Sequence, residues 1–202
     1  MKFPQIYLAS ASPRRHEILT QLGVPHEVLR LPPTEGEDEP RLPGESPADY
    51  VERTARDKAE RALAYLAQQG PERLPPRPVL TADTTVILQN DILGKPASVA
   101  EARAMLERLS GSEHEVRSAV VLADSRRMLE AVSITTVRFA VLSPEDIDLY
   151  CATGEPMDKA GAYGIQGLAG LFVEHISGSF SGVMGLPVYE TGRLLRQFTQ
   201  QL

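Results

Sequence analysis

The apolar positions of this chain follow two periods, one near 3.6 and one near 2, in alternating blocks. Ile6, Tyr7, Leu8 and Ala9 form an uninterrupted apolar run, which predicts a short buried strand. Ser12 and Pro13 then open a helix that reaches Leu22 and stops at Gly23. Residues 32–40 are rich in proline and acid and predict a loop, because proline suits neither a helix interior nor a central strand. Ser46 and Pro47 begin a long helix in which Val51, Ala55, Ala59, Ala62 and Leu66 keep helical spacing. After a loop over residues 68–78, residues 79–82 and 85–88 read as strand segments that turn at Gln89, Asn90 and Asp91, with Asp83 and Thr84 between them. Ser98 and Glu101 form a capping box for a helix carrying Ala102, Met105, Leu106 and Leu109 on one face and ending at Gly111. Residues 116–123 and 128–140 predict a strand pair, and Ser143 with Pro144 starts a further helix that runs to Gly154. The last quarter is glycine-rich, then strand, loop and a closing helix around Leu194, Leu195 and Phe198.

Helices and strands interleave, yet the hairpins at residues 89–91 and 124–125 require antiparallel pairs, so the fold class is α/β with a mixed sheet. No internal repeat or low-complexity linker divides residues 1–202, which predicts a single domain. At 202 residues and 42% hydrophobic, the chain can bury one substantial core, or two small lobes around a cleft, without covalent staples. The formal charge of -6 excludes a surface that is basic throughout, and with it a nucleic-acid-binding module; bound phosphate must meet a local cluster of cations. Cys151 is the only cysteine, which excludes an intrachain disulfide and a multi-cysteine zinc site and predicts the cytoplasm. No stretch of about 18 apolar residues occurs, so neither a membrane span nor a signal peptide is expected. His16, His26, His114 and His175 lack metal-ligand spacing, and a Gly-x-Ser-x-Gly elbow is absent.

Four segments carry candidate chemistry. In the first, Ser10, Ala11, Ser12, Pro13, Arg14 and Arg15 place two cations in the first turn of a helix, where the dipole favours carboxylates. That local cost reverses sign if an anion sits at the helix start, where amides, serine hydroxyls and guanidinium groups converge on phosphate. Secondly, Lys58 shares the apolar face of its helix with Ala55 and Ala62, so it either reaches inward or snorkels outward along its stem. The third segment pairs Asp83, at the end of an apolar strand, with Lys95, which the following hairpin returns toward it. Such a carboxylate acts as a general base on water or holds Mg²⁺, or forms an ordinary exposed ion pair. In the fourth, Asp158 through Gly167 spaces its glycines three apart, which permits close backbone approach to a ligand, and Gln166 offers both donors and an acceptor to a nucleobase edge. The acidic run from Glu35 to Glu39 is a solvated loop or a metal-holding one.

Taken together, these segments resemble the Maf family of nucleotide pyrophosphatases, related in fold to the inosine-triphosphatase-like enzymes, over nearly the whole chain. The resemblance rests on Leu8 through Arg15, Lys58 with Ala59, Ala82 to Thr84, Gly94 to Pro96, Leu109 to Gly111 with His114, and Asp158 through Gly167. It implies an elongated, twisted mixed sheet flanked by helices, two lobes around a nucleotide cleft, and a homodimer. It places the family's catalytic aspartate on Asp83, its lysines on Lys58 and Lys95, its phosphate-binding serine and arginines on Ser10, Arg14 and Arg15, and its acidic metal position on Glu39. The implied reaction is metal-assisted attack of water on the α-phosphorus of a nucleoside triphosphate, with Mg²⁺ or Mn²⁺, Asp83 serving as general base or as base and metal ligand together, and pyrophosphate leaving. Arg14, Thr84 and Gln166 match positions linked to the branch of the family that acts on dTTP and UTP. Two other readings use the same residues: a nucleotide-binding regulator of cell division with little turnover, and a pyrophosphatase of modified nucleotides. Asp83 beside two inward lysines favours catalysis, since a pure binder gains nothing from a carboxylate near a triphosphate without a metal.

Overall fold

A computed structural model describes residues 3–33 and 39–200. It divides into two compact units, one made of the chain up to Asp83, Ala119–Val132 and the segment from Gly185 onward, the other of Thr84–Ser118 and Ser133–Met184. Among the described residues, seven strands form one mixed sheet in the order β2-β1-β3-β5-β6-β7, with β4 paired to β3.

The first unit begins with β1 (Ile6–Leu8), α1 (Pro13–Gln21) and β2 (His26–Val28). β1 pairs in parallel with β2 on one side and with β3 (Val79–Leu88) on the other, Leu8 standing opposite Val28 and Leu80. All three residues of β1 are fully buried, which is why its sequence is apolar throughout and does not alternate. The long helix α2 (Pro47–Gln69) starts at Ser46, whose hydroxyl accepts the Asp49 N–H at 3.1 Å, and has Pro47 at its first position. Its small apolar stripe lets the helix axis come close to the sheet: Val51, Ala55 and Ala59 pack on Ala119, Val121 and Ala123 of β5 (Glu113–Ala123), and Ala62 packs with Tyr7 and Val79. The Thr81 hydroxyl donates to the Ala55 carbonyl at 2.8 Å and ties β3 to α2 where the site residues emerge. α6 (Val188–Gln200) ends this unit, with Leu194, Leu195 and Phe198 buried.

In the second unit, the end of β3 turns through Gln89, which has a φ of 60°, and Asn90 into the antiparallel strand β4 (Asp91–Leu93). The turn is thus a residue shorter than expected, since Asp91 already pairs with Leu88. α3 (Val99–Leu109) is capped by Ser98, while the Glu101 carboxylate reaches the Ala97 N–H at 2.7 Å, one residue before the expected partner. β6 (Met128–Phe139) pairs antiparallel with β7 (Val173–Ser177), and α4 (Pro144–Ala152) carries a complete capping box between Ser143 and Asp146. Three short 3-10 turns, Glu155–Asp158, Ala160–Ala162 and Leu168–Phe172, occupy the glycine-rich stretch before β7, and α5 (Phe180–Met184) follows it. The core of this unit gathers Leu106, Leu109, Val137 and Phe139 with the edge-to-face rings of His114, Tyr163 and Phe172.

One expectation fails in an informative way. Residues 79–82 and 85–88 are a single strand, and Asp83 is the fifth of its ten residues, not a residue beyond its end. No helix among the described residues is long and apolar enough to cross a membrane.

Candidate active site

The site grows out of α2 and β3. Lys58 lies on the α2 stripe between Ala55 and Ala59, and its ammonium donates to Asp83 Oδ1 at 2.7 Å and pairs with Glu39 Oε1 at 2.5 Å. The two carboxylates therefore share one cation. Asp83 is buried, with a side chain 9% exposed against 28% for Glu39, so the two play different electrostatic parts. Burial by itself raises the Asp83 carboxyl, but the charge and hydrogen bond of Lys58, the charge of Arg15 and a hydrogen bond from Thr54 together outweigh it and hold the group below its ordinary value. Thr54 stands one turn before Lys58 on the same face and is itself buried. It escaped the sequence reading, although a polar residue inside an apolar helical stripe is a signal that could have found it.

Arg15, at the third position of α1, joins the same cluster. Its Nε donates to the Gly185 carbonyl at 2.8 Å and its Nη1 to Ser10 Oγ at 3.1 Å. Burial pulls the Arg15 pKa down, whereas Asp83 and Glu39 work the other way, and the guanidinium stays protonated at neutral pH. Arg14 adds its positive charge next to it. Ser10 Oγ also accepts the Ser12 N–H at 3.2 Å. Ser12 has the extended conformation of an N-cap, but its side chain caps nothing, and no acidic residue occupies the first turn of α1. A missing cap costs about 1 kcal/mol, and each of two cations opposing the dipole costs roughly 0.3–1 kcal/mol. A start so unfavourable to the helix alone is favourable to an anion.

Three further candidates fall in the second unit. Lys95 is exposed just after β4 and forms no ion pair among the described residues. The Ser118 hydroxyl donates to the Gly182 carbonyl at 2.7 Å, so in the 2.7 Å contact between Thr84 and Ser118 the proton comes from Thr84. Gln166 is exposed in a turn closed by the Gly167 N–H on the Gly164 carbonyl at 3.0 Å, and its amide makes no hydrogen bond among the described residues. The glycines around it do not open space for a ligand. A Cβ on Gly164 would lie 2.7 Å from Lys159 Cε, one on Gly167 would overlap Glu155 Oε1, and one on Gly161 would lie 2.9 Å from Val86 Cγ1. The close approach that their spacing announced is to the protein's own side chains.

The acidic run from Glu35 to Glu39 lies outside the described residues except for Glu39 itself. Among the described residues no group of three or more His, Cys, Asp or Glu side chains converges as a metal cage. Two carboxylates on one ammonium nevertheless match the sparse protein donor set that Mg²⁺ accepts, in which one or two carboxylates are completed by water and substrate phosphate oxygens. The donors present thus fit Mg²⁺ or Mn²⁺ brought in with a phosphate ligand.

A family model described as Maf-like protein matches residues 5–198. A Bordetella pertussis protein named dTTP/UTP pyrophosphatase is 60% identical over 193 residues, which cover 96% of this chain and 92% of that protein. A protein of the same name from Cupriavidus metallidurans is 53% identical over 196 residues, covering 95% and 96%. Among solved structures, the Ham1 protein of Staphylococcus aureus overlays with a TM-score of 0.45 at 13% identity, covering 67% of this chain and 72% of that one.

Proposed function

Since the chain belongs to the Maf family, we propose that it is a nucleoside triphosphate pyrophosphatase that cleaves dTTP and UTP to the monophosphate and pyrophosphate. The observation that carries the reading is a buried carboxylate, Asp83, kept ionised by Lys58 and Arg15 beside the uncapped start of α1.

Ser10, Arg14 and Arg15 and the backbone amides at the start of α1 hold the phosphate chain. Lys58 and Lys95 neutralise charge that develops on the departing pyrophosphate, the main means of catalysis in phosphoryl transfer. Water attacks the α-phosphorus, Asp83 takes its proton, and the bond from phosphorus to the bridging oxygen of the β-phosphate breaks. In the free protein Asp83 is held too acidic to be a strong base. A bound triphosphate changes that balance, because it draws Lys58 toward its own oxygens and adds negative charge nearby, and both raise the carboxylate's affinity for a proton. Asp83 and Glu39 would hold a Mg²⁺ or Mn²⁺ ion, which supplies further neutralisation of phosphate charge. Gln166 and Thr84 read the base. Thymine and uracil share an acceptor-donor-acceptor edge, and cytosine, with an amino group in place of O4, leaves a donor unpaired in a site made for that edge. The family resemblance further supports a homodimer working in the cytoplasm.

Incubating the protein with a panel of nucleoside triphosphates and Mg²⁺ or Mn²⁺, and resolving pyrophosphate from orthophosphate, tests this reading. Pyrophosphate and monophosphate are expected, fastest from dTTP and UTP. Orthophosphate as the primary product sinks the reaction, the absence of turnover points to the regulator, and faster cleavage of CTP or 7-methyl-GTP sinks the base assignment.

A further inference from the structure

Glu155 plays no part in the phosphate chemistry, yet it has an unusual setting. It opens the 3-10 turn Glu155–Asp158 after α4, and its half-buried carboxylate has no cation partner among the described residues. Each oxygen is used by a different neutral donor. Oε1 accepts the Tyr150 hydroxyl at 3.0 Å, and Oε2 accepts the Leu168 N–H at 3.1 Å, thirteen residues along the chain. Burial, with the carboxylate beside it, raises the Tyr150 pKa, so the phenol keeps the proton that it donates. The carbonyl of Glu155 accepts the Lys159 ammonium at 2.6 Å, and the lysine stem is thereby laid under Gly164.

The turn over residues 164–167 consequently rests on two side chains, with Gly164 against Lys159 and Gly167 against the Glu155 carboxylate, so close that neither position admits a Cβ without displacing them. Gln166 rides on that turn, exposed, between the two points of support. A side chain with three rotatable bonds and no partner among the described residues can discriminate between bases only if its backbone is fixed in place.

We propose that Glu155 is the positioning residue for base discrimination: by accepting from Tyr150 and Leu168 while seating Gly167, its carboxylate fixes the turn from which Gln166 reads the pyrimidine edge. The inference rests on the base-reading role given to Gln166 above. A carboxylate serves both contacts in the direction observed, because each of its oxygens accepts. In Glu155→Gln one oxygen becomes an NH₂ donor: facing the Leu168 N–H it loses that support, and facing Tyr150 it turns the phenol into an acceptor and leaves the buried Tyr150 O–H without the acceptor it had.

The test measures kcat/KM for dTTP and for CTP in the wild type, E155Q, Y150F, Q166A and the E155Q/Q166A double variant, with pyrophosphate release as the readout. The dTTP to CTP ratio is expected to fall roughly tenfold in E155Q, a size typical of one mispaired buried polar group, and less in Y150F, while kcat on dTTP stays within about threefold of the wild type. The double variant is expected to be no less selective than Q166A alone, since a residue that acts through another adds nothing once the other is gone. Wild-type selectivity in both E155Q and Y150F, with selectivity lost in Q166A, overturns the role of Glu155 and leaves that of Gln166 standing. Additive losses in the double variant also overturn it. Wild-type selectivity in Q166A removes the reading of Gln166 and the proposal with it. Y150F leaves the backbone and the carboxylate in place, so the question stays answerable if E155Q does not fold.

Discussion

Replacing Lys58 with methionine tests the electrostatic logic of the site at its centre. The substitution keeps the length and apolar character of the stem and removes the charge that faces Asp83 and Glu39. Glu39, more than a quarter exposed, turns to water at little cost, whereas Asp83, 9% exposed, cannot. Stranding one member of a buried ion pair costs about 3–5 kcal/mol, and the lower end applies because Arg15 and Thr54 still favour the carboxylate. For a chain of this size about 3 kcal/mol corresponds to a fall of roughly 6–12 °C in Tm at neutral pH. The pH dependence gives the sharper result. In the wild type Asp83 titrates below the unfolded value of about 3.9, so its contribution to stability is present at neutral pH and is lost as the pH falls through the folded value. Without Lys58 the effect of burial, the largest of the influences on this carboxyl, prevails and lifts the folded value. Acidification then protonates the stranded group and relieves the variant. Denaturant unfolding of the wild type, K58M and K58M/D83N between pH 7.5 and pH 4.5 should show the K58M deficit shrinking as pH falls, and the double variant more stable than K58M at pH 7.5. Titrations of other groups cancel in the difference. A deficit equal at both pH values, or a double variant no more stable than K58M, would show that Lys58 does not offset a buried charge.

D83N should retain triphosphate affinity while turnover falls by about 10² or more, the scale of a lost general base; single-turnover kinetics with near-normal rates would remove Asp83 from that role. Arg14→Ala should weaken triphosphate binding without lowering Tm, because it removes a cation that opposes the α1 dipole; a lower Tm with unchanged affinity would make Arg14 structural. His114, buried against Phe139 and Tyr163, has its pKa pushed down by burial to about 4. It is therefore neutral in the fold, and stability should decline by about 3 kcal/mol as pH drops from about 6.5 to about 4, where the unfolded chain takes up a proton that the folded one refuses. A His114→Gln variant should lack this part of the decline, and an unaltered pH curve would contradict it.

The helix starts at Pro47, Val99 and Pro144 were legible because their signals are local, a serine followed by proline or by an acid three residues on. The inward lysine was legible as a charge on an apolar stripe. What the local pattern misjudged was Asp83, because a carboxylate followed by threonine reads as the end of a strand when strand propensity is weighed residue by residue. Asp83 remains inside β3 because an ammonium from α2, twenty-five residues earlier, meets it there. The glycine spacing from Gly161 to Gly167 was visible, but not its cause, since Val86, Lys159 and Glu155 meet those glycines through folds of the chain that no periodicity records. Only the family resemblance singled Glu39 out of the acidic run, because the loop itself offers no register.

The residues that carry chemistry are those that break local rules, and the way in which their costs cancel says what is missing from the protein alone. Lys58 in an apolar stripe and Asp83 inside a strand each carry a burden that the other relieves at 2.7 Å. Arg15 finds partial relief in the charges of Asp83 and Glu39, the latter already paired with Lys58. Three cations, Arg14, Arg15 and Lys58, thus stand against two carboxylates, at a helix start with no side-chain cap and no acid in its first turn. The surplus is positive and the exposed amides are donors, so the group that completes the site must be an anion with several acceptor oxygens. A triphosphate meets that requirement, and on arrival it competes with Asp83 for Lys58. On the proposed reading, the ion pair between Lys58 and Asp83 is then loosened by the ligand, which frees the carboxylate for the proton of the attacking water.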